Sequence, residues 1–104
     1  MKIFYENFTC ANDVFDTFCV AVDNDIEFIY ADYDTPAYEG YAHVIFMKNR
    51  VLYEVNASHC SCGGLEDQWR PEETSLAALM FRPNVSDNAK ANLKQRFKNL
   101  IAFL

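Results

Sequence analysis

Residues 41–57, YAHVIFMKNRVLYEVNA, carry the strongest fold signal in the chain: two runs of β-branched and aromatic residues with a short polar break between them. Such runs favour strands, and a break at Lys48 and Asn49 is typical of a tight turn. We therefore expect a β-hairpin here. His43 lies within its first strand, where a single histidine more often packs or faces solvent than binds a metal.

The residues just before the hairpin predict another strand. IEFIYADY, residues 26–33, has strand composition, and DTPAYEG, residues 34–40, has the proline and glycine of a turn. KIFYENF, residues 2–8, is either a short first strand or an extended lead-in. These segments extend the hairpin into a small sheet.

A helix is expected between the candidate strands at residues 2–8 and 26–33. In NDVFDTFCVAV, residues 12–22, apolar side chains recur at helical spacing. Asn12 or Asp13 can cap its first turn. Cys19 would then lie on the buried face, where a thiol acts as a small apolar side chain.

The second half of the chain predicts two more helices. RPEETSLAALMF, residues 70–81, begins with Pro71, Glu72 and Glu73, which suit a first turn, and Pro83 ends it. Ser86 caps the final helix. The apolar stripe of that helix consists of Leu93, Phe97, Leu100, Ile101 and Leu104. We expect one α+β domain over residues 1–104, a small antiparallel β-sheet with two or three helices packed on one side.

Charge is unevenly distributed along the chain. Residues 1–45 hold nine acids and one base, a net charge of −8, whereas residues 46–104 hold six acids and eight bases, a net charge of +2. Eight of the acids lie between Asp13 and Glu39 with no base among them. The polarity is typical of a solvated acidic face that keeps a small protein in solution; the functional alternatives are a partner with a basic surface or a contact with a second copy of the chain, a homodimer. It opposes direct binding of nucleic acid, which needs a positive footprint.

The sequence also indicates the cellular compartment in which the protein is expected. No apolar run approaches the roughly 20 residues that span a bilayer, and the opening residues lack the apolar stretch of a secretory signal. We expect a protein of the cytoplasm with no membrane contact. There the four cysteines, Cys10, Cys19, Cys60 and Cys62, are thiols or metal ligands rather than disulfides.

The loop SHCSCGGLEDQW, residues 58–69, concentrates the residues with chemical potential. The leading interpretation is a shaped connector in which Gly63 and Gly64 turn the chain and the thiols and Trp69 are buried. The main alternative is a zinc site built on His59, Cys60 and Cys62, with a fourth ligand from Cys10, His43 or an acid. A disulfide is a weaker alternative, because a bond between Cys60 and Cys62 would close a strained ring. A nucleophilic cysteine is also a weaker alternative, because a thiol and a histidine that are neighbours in sequence rarely face each other as a catalytic pair.

The run LYEVNASHCSCGGLEDQWRPEETSLAAL, residues 52–79, resembles a motif of an uncharacterised family of small bacteriophage proteins. The matching positions are Tyr53, Glu54, Val55, His59, Cys60, Ser61, Cys62, Gly64, Leu65, Glu66, Gln68, Trp69, Pro71, Glu72, Glu73 and Thr74. The chain departs from that family at Gly63, where the family has an aromatic residue. The resemblance implies a phage-encoded accessory protein that acts in the host bacterial cytoplasm. It also implies binding to host machinery such as an antiviral nucleic-acid-processing effector.

The sequence thus predicts an acidic protein that binds a host or phage protein without catalysis, and the resemblance to phage proteins implies that it inhibits a host protein. No phosphate-binding glycine loop or Ser-His-Asp pattern suggests an enzyme. In the acidic segment, the expected contacts are Asp25, Glu27, Tyr30, Asp32, Tyr33, Asp34, Tyr38 and Glu39. In the motif loop, they are His59, Cys60, Cys62, Gly64, Leu65, Glu66, Gln68, Trp69, Pro71, Glu72 and Glu73. No cofactor is expected; the alternative is a small zinc domain, structural or weakly catalytic.

Overall fold

The computed structural model describes residues 1–101, and these residues confirm the α+β class. The elements are β1 (Phe4–Glu6), α1 (Ala11–Thr17), β2 (Glu27–Asp34), a 3-10 turn (Pro36–Tyr38), β3 (Gly40–Lys48), β4 (Val51–His59), β5 (Glu72–Thr74), α2 (Leu76–Phe81), α3 (Asp87–Arg96) and α4 (Lys98–Ile101). The sheet order is β1-β2-β3-β4-β5. β1 runs parallel to β2, and every other neighbouring pair is antiparallel.

The central hairpin is confirmed. β3 and β4 pair without interruption from Gly40 opposite His59 to Lys48 opposite Val51. The loop between them is Asn49 and Arg50, one residue later than expected, and both have positive φ, 52° and 67°. Two left-handed residues in a two-residue loop match the twist of the flanking strands. The hairpin therefore fixes the register of the sheet.

Two apolar cores lie on opposite faces of the sheet, because successive strand side chains point to opposite sides. The first core contains Val44, Phe46 and Val55 and is covered by α1 and by Trp69. The second contains Ile29 and Ile45 and is covered by α2 and α3. Thus α1 lies on the face opposite the other two helices, and the expectation that the helices pack on one side of the sheet is wrong.

The first helix is shorter than expected. α1 ends at Thr17, and Cys19 adopts a positive φ of 56°. The amide of Val20 donates to the carbonyl of Phe15 at 3.0 Å and that of Cys19 to Asp16 at 3.1 Å, the bonding pattern of a Schellman helix end. The expectation that Cys19 is buried is therefore wrong, because the left-handed residue turns its thiol to solvent.

The start of α1 also differs from the expectation. Cys10 occupies the N-cap position and its side chain makes no capping bond. Asp13 instead lies in the first turn and accepts hydrogen bonds from the backbone amide and the hydroxyl of Thr9. The carboxylate near the positive end of the helix still serves the purpose that the sequence suggested.

Residues 72–74 form an edge strand, not the first helical turn that the sequence predicted. Glu72 lies opposite Glu54 and Thr74 opposite Leu52, so these residues use the free edge of β4. The helix begins after Ser75, whose Oγ accepts from the amide of Ala78 at 3.1 Å. A serine is a strong N-cap, and it sets the start of α2.

The final helix confirms Ser86 as its cap, since Ser86 Oγ accepts from the amide of Ala89 at 3.1 Å. Leu93 and Phe97 are buried, as expected from the stripe, but α3 ends at Arg96 and Leu100 is 58% exposed. Leu104 lies outside the described residues. Within the described residues, the stripe is therefore buried over about one turn, at Leu93 and Phe97, and reaches solvent at Leu100.

Candidate binding surface at the open end of the sheet

The second face of the sheet is only partly covered by helices. Beyond α2 and α3, it carries polar side chains around an open cavity of about 550 Å³. Residues of three neighbouring strands point into it because they occupy alternate positions in register. The polar side chains of its wall include Asp32, Asp34, Tyr41, His43, Asn56 and Gln68.

Glu54 lies beside this cavity and is only 5% exposed. Arg82 donates two hydrogen bonds to its carboxylate, at 2.7 and 2.5 Å. His43 Nε2 lies 2.9 Å and Asn56 Nδ2 3.2 Å from the same carboxylate. Burial raises the pKa of Glu54, but the hydrogen bonds from Arg82 and His43 outweigh it and hold the pKa at about 2. Glu54 is therefore ionised throughout the neutral range and fixes His43.

Asp32 lies opposite His43 in the sheet register. Burial raises the pKa of Asp32 despite a hydrogen bond from Tyr30, and the charges of Glu6 and Asp34 raise it further. Its Oδ1 atom is buried and has no hydrogen-bond partner among residues 1–101. A buried carboxylate oxygen without a donor is energetically costly, so Asp32 is a strained group at the cavity wall.

An acidic end is formed where β1 and β2 finish and β3 begins. We define it by Glu6, Asp32, Asp34 and Glu39 with Tyr38 and Tyr41. Tyr38 is 86% and Tyr41 51% exposed, and the hydroxyl of Tyr41 donates to Glu39 at 2.7 Å. Large aromatic side chains thus stand in solvent beside the carboxylates.

The four carboxylates of the acidic end, Glu6, Asp32, Asp34 and Glu39, lie together, and within the described residues no cationic side chain is bound to any of them. By contrast, Asp23 pairs with Lys48 at 2.6 Å and Glu27 with Arg96 at 2.5 Å. The negative charge of the acidic end is therefore not neutralised by an ion pair within the described residues, and it lies beside the exposed tyrosines.

The structure divides the contacts expected in the acidic segment. Four of them, Asp32, Asp34, Tyr38 and Glu39, gather at the acidic end, whereas Asp25 and Glu27 lie near the opposite end of the strands. Two tyrosines do not belong to such a surface. Tyr30 is 2% exposed in the second core, and burial raises its pKa to about 12; Tyr33 packs against the first core and hydrogen-bonds His59 at 2.6 Å.

The motif loop is a connector in part. Leu65 is 1% exposed, and the ring of Trp69 stacks on Phe46 with a centroid distance of 5.6 Å. Gln68 closes the loop, since its amide bonds the backbone of Ser58 in both directions, at 3.1 and 2.9 Å, and the carbonyl of Gly64 at 2.8 Å. Leu65 and Trp69 hold the loop on the sheet, as the connector interpretation predicted, whereas the bonds of Gln68 were not predicted.

The same interpretation is wrong about the thiols and the glycines. Cys60 and Cys62 are exposed, not buried. Gly63 and Gly64 do not adopt positive φ, whereas Asp67 does, at 66°. The sulfur atoms face solvent because the chain turns at the edge of the sheet, before the buried Leu65.

His59 has both ring nitrogens engaged. Nδ1 lies 2.8 Å from the carbonyl of Cys60, which only accepts, so Nδ1 donates and Nε2 accepts from the hydroxyl of Tyr33 at 2.6 Å. The ring covers Gly40, where an added Cβ would lie 2.0 Å from Nε2. Gly40 is therefore required by the close approach of His59.

The zinc alternative finds no support in this geometry. Across residues 1–101, no group of three or more His, Cys, Asp and Glu side chains could hold a metal ion. His59 is turned toward Tyr33 and does not converge with the two thiols. The side chains of Glu66, Glu72 and Glu73 are exposed. Pro71 leads the chain into β5, which contains Glu72 and Glu73, and these carboxylates do not meet where they could bind one metal ion.

Sequence reasoning missed the polar cluster around Glu54. Glu54 was noted only as a matching motif position, and Arg82 and Tyr41 were given no role. The alternation of the hairpin could have placed Tyr41, His43, Glu54 and Asn56 on one face. Nothing in the local pattern could have brought Arg82 to them, since it lies 28 residues from Glu54.

Comparison with known proteins gives no match: no family model fits the chain, and neither a curated protein nor a solved structure is significantly similar to it. In the part of the chain that the structure describes, no helix combines the length and the apolar character needed to cross a bilayer.

Proposed function

We propose that this protein is a non-enzymatic binding protein whose acidic end engages a basic surface of another protein. The observation that carries the proposal is the cluster of four carboxylates without a cationic partner in the described residues, beside the exposed Tyr38 and Tyr41. Charge of one sign beside a cavity speeds encounter with an oppositely charged partner and selects against others.

The aromatic side chains supply what charge alone lacks. Tyrosines are enriched at the energetic centres of protein interfaces, because they bury a large area and keep a hydroxyl for hydrogen bonding. Tyr38 lies in the turn before β3 and Tyr41 near the start of that strand. A partner lysine or arginine can therefore meet a carboxylate and an aromatic ring together, which also favours cation–π contacts.

The finer proposal is a phage-encoded accessory protein that inhibits a nucleic-acid-processing effector of its bacterial host, in the host cytoplasm. Two arguments support it: the resemblance of residues 52–79 to small phage proteins, and the repetition of carboxylates along a short edge, which is suited to a groove that normally holds phosphates. Gln68 of the motif loop lines the same cavity, so the loop would form one border of the contact.

A titration with an oligo-arginine peptide tests the binding proposal. We expect amide resonances of the acidic end to shift selectively in ¹⁵N-labelled protein. Raising the salt concentration should weaken binding, because the contact is between solvent-exposed charges. Asp34→Asn/Glu39→Gln should weaken it about tenfold, a loss of about 1.4 kcal/mol.

The matched control is Asp16→Asn/Glu73→Gln, which removes two exposed carboxylates elsewhere. Equal loss of affinity in both double variants, or affinity that is indifferent to salt, would reject the acidic end as the binding surface. The inhibition proposal needs a separate assay, cleavage of DNA by an RNA-guided nuclease with and without the protein. Inhibition should be lost in the Asp34/Glu39 variant and kept in the control.

A further inference from the structure

Cys60 and Cys62 form a pair of exposed thiols that the binding proposal does not use. Their sulfur atoms lie 2.7 Å apart, within hydrogen-bond reach of each other. A turn bond between the amide of Gly63 and the carbonyl of Cys60, 3.3 Å long, brackets both residues. The backbone thus already holds the two side chains on one side of the turn, facing solvent.

The two sulfur atoms are not equivalent. The hydrogen bond from the side chain of Cys62, followed by a backbone hydrogen bond from Cys62, lowers the pKa of the Cys60 thiol. The same contact raises the pKa of the Cys62 thiol. Because the thiolate is the reactive species, the lowered pKa favours Cys60 as the attacking group, and the 2.7 Å separation places Cys62 within reach of the Cys60 sulfur.

We propose that Cys60 and Cys62 form a dithiol site for thiol–disulfide exchange with small disulfides of the glutathione type. The Cys60 thiolate attacks one sulfur of oxidised glutathione, whose S–S bond breaks and releases one glutathione thiolate. The Cys62 thiolate then attacks the Cys60 sulfur of this mixed disulfide and expels the second glutathione. The dithiol is oxidised by two electrons, oxidised glutathione is reduced to two thiols, and the two thiol protons pass to them.

The fold suits reversible exchange rather than a permanent cross-link. A disulfide closed across one intervening residue makes a small ring, and exposed or strained disulfides are the labile ones. The bond would staple no distant part of the chain, because both residues belong to the same turn. We therefore expect the site to accept and return electrons without a change in the sheet.

Mass spectrometry of acid-quenched protein tests the exchange. A Cys10→Ser/Cys19→Ser background removes the other two exposed thiols. After incubation with oxidised glutathione, we expect this protein to lose two hydrogens in mass and to carry no glutathione. Adding Cys62→Ser should stop the reaction at one glutathione adduct on Cys60. Adding Cys60→Ser instead should likewise leave one glutathione adduct, on Cys62, because no second thiol remains to resolve the mixed disulfide.

Two results would overturn the proposal. One is accumulation of two separate glutathione adducts, which means that Cys62 does not resolve the mixed disulfide. The other is that, in the natural chain, Cys60 reacts with oxidised glutathione no faster than Cys10 and Cys19 do. Circular dichroism of each variant verifies that the fold is retained. A titration across glutathione redox buffers then gives the equilibrium between dithiol and disulfide.

Discussion

Glu54 shows how one side chain organises the polar half of the sheet. Its carboxylate is almost fully buried between β3 and β5, yet it accepts bonds from Arg82, His43 and Asn56. Breaking a buried pair is costly because the remaining charge loses its partner while staying desolvated. The cluster fixes the wall of the cavity beside Asp32, so its integrity is a condition for the proposed binding surface.

Glu54→Gln should lower the free energy of unfolding at pH 7 by about 1–3 kcal/mol, because Arg82 loses its counter-charge while its side chain, 35% exposed, keeps part of its hydration. The pKa of Glu54 is about 2 in the folded chain against an ordinary value of 4.5. Its contribution is therefore complete above pH 4.5 and is lost as pH falls toward 2. Urea unfolding between pH 7 and pH 3 should show this loss in the natural chain and a flatter profile in the variant.

The exposed pair of Glu27 and Arg96 provides the control. Glu27 is 51% exposed in its side chain, and surface pairs contribute less than about 1 kcal/mol. Glu27→Gln should therefore leave stability nearly unchanged. If both substitutions cost the same, the buried network would not be the source of the effect.

The central hairpin is the element on which the rest of the sheet is built. Its strands were evident from composition, but the turn uses Asn49 and Arg50 at positive φ. Arginine is poorly suited to this conformation, since a side chain with a Cβ costs about 1–2 kcal/mol there. The natural sequence thus keeps an unfavourable residue at an exposed turn.

Arg50→Gly should raise the free energy of unfolding by roughly 0.5–1 kcal/mol, because glycine adopts positive φ without strain and this gain exceeds its extra entropy in the unfolded chain. Arg50→Ala is the matched control: it removes the same exposed side chain but keeps Cβ. Urea midpoints compare the three proteins. A gain in the alanine variant equal to that in the glycine variant would show that the charge of Arg50, not its backbone, is responsible.

For the molecule as a whole, the unequal charge distribution along the chain becomes an unequal distribution in space. The described residues extend 44 × 28 × 22 Å, and four carboxylates without an ion pair in these residues lie together at the acidic end. Asp32 is the most strained of them, because burial and the charges of Glu6 and Asp34 all raise its pKa. Binding surfaces commonly keep such unfavourable groups at a cost in stability.

Asp32→Asn should stabilise the fold at pH 7 by a few tenths to about 1 kcal/mol and weaken binding to the oligo-arginine peptide. The sign follows from the raised pKa: the ionised form is disfavoured in the fold, so the natural chain gains stability as pH falls through that pKa. Thermal unfolding at pH 7 and the peptide titration measure both effects. Asp16→Asn, at an exposed position of α1, should alter neither the thermal stability nor the affinity for the peptide. A loss of stability in the Asp32→Asn protein would contradict the conclusion that the ionised Asp32 is unfavourable in the fold.

Local patterns in the sequence determined the strands of the hairpin, the strand before it, Ser86 as the cap of the third helix, and the α+β class. These features depend on neighbours within a few positions, which side-chain periodicity and turn chemistry record directly. The same local signals indicated part of the candidate site: Asp32 and Asp34 on β2, and Tyr38 and Glu39 just before β3.

Contacts between distant segments decided the rest. Residues 72–74 became a strand because they pair with the free edge of β4. Trp69 packs on the first core, whereas Cys60 and Cys62, which precede it in the same loop, are exposed to solvent. Arg82 reached Glu54 across 28 positions, and Tyr30 was buried under α3. Burial and pairing depend on which faces meet in space, and no spacing along the chain encodes that choice.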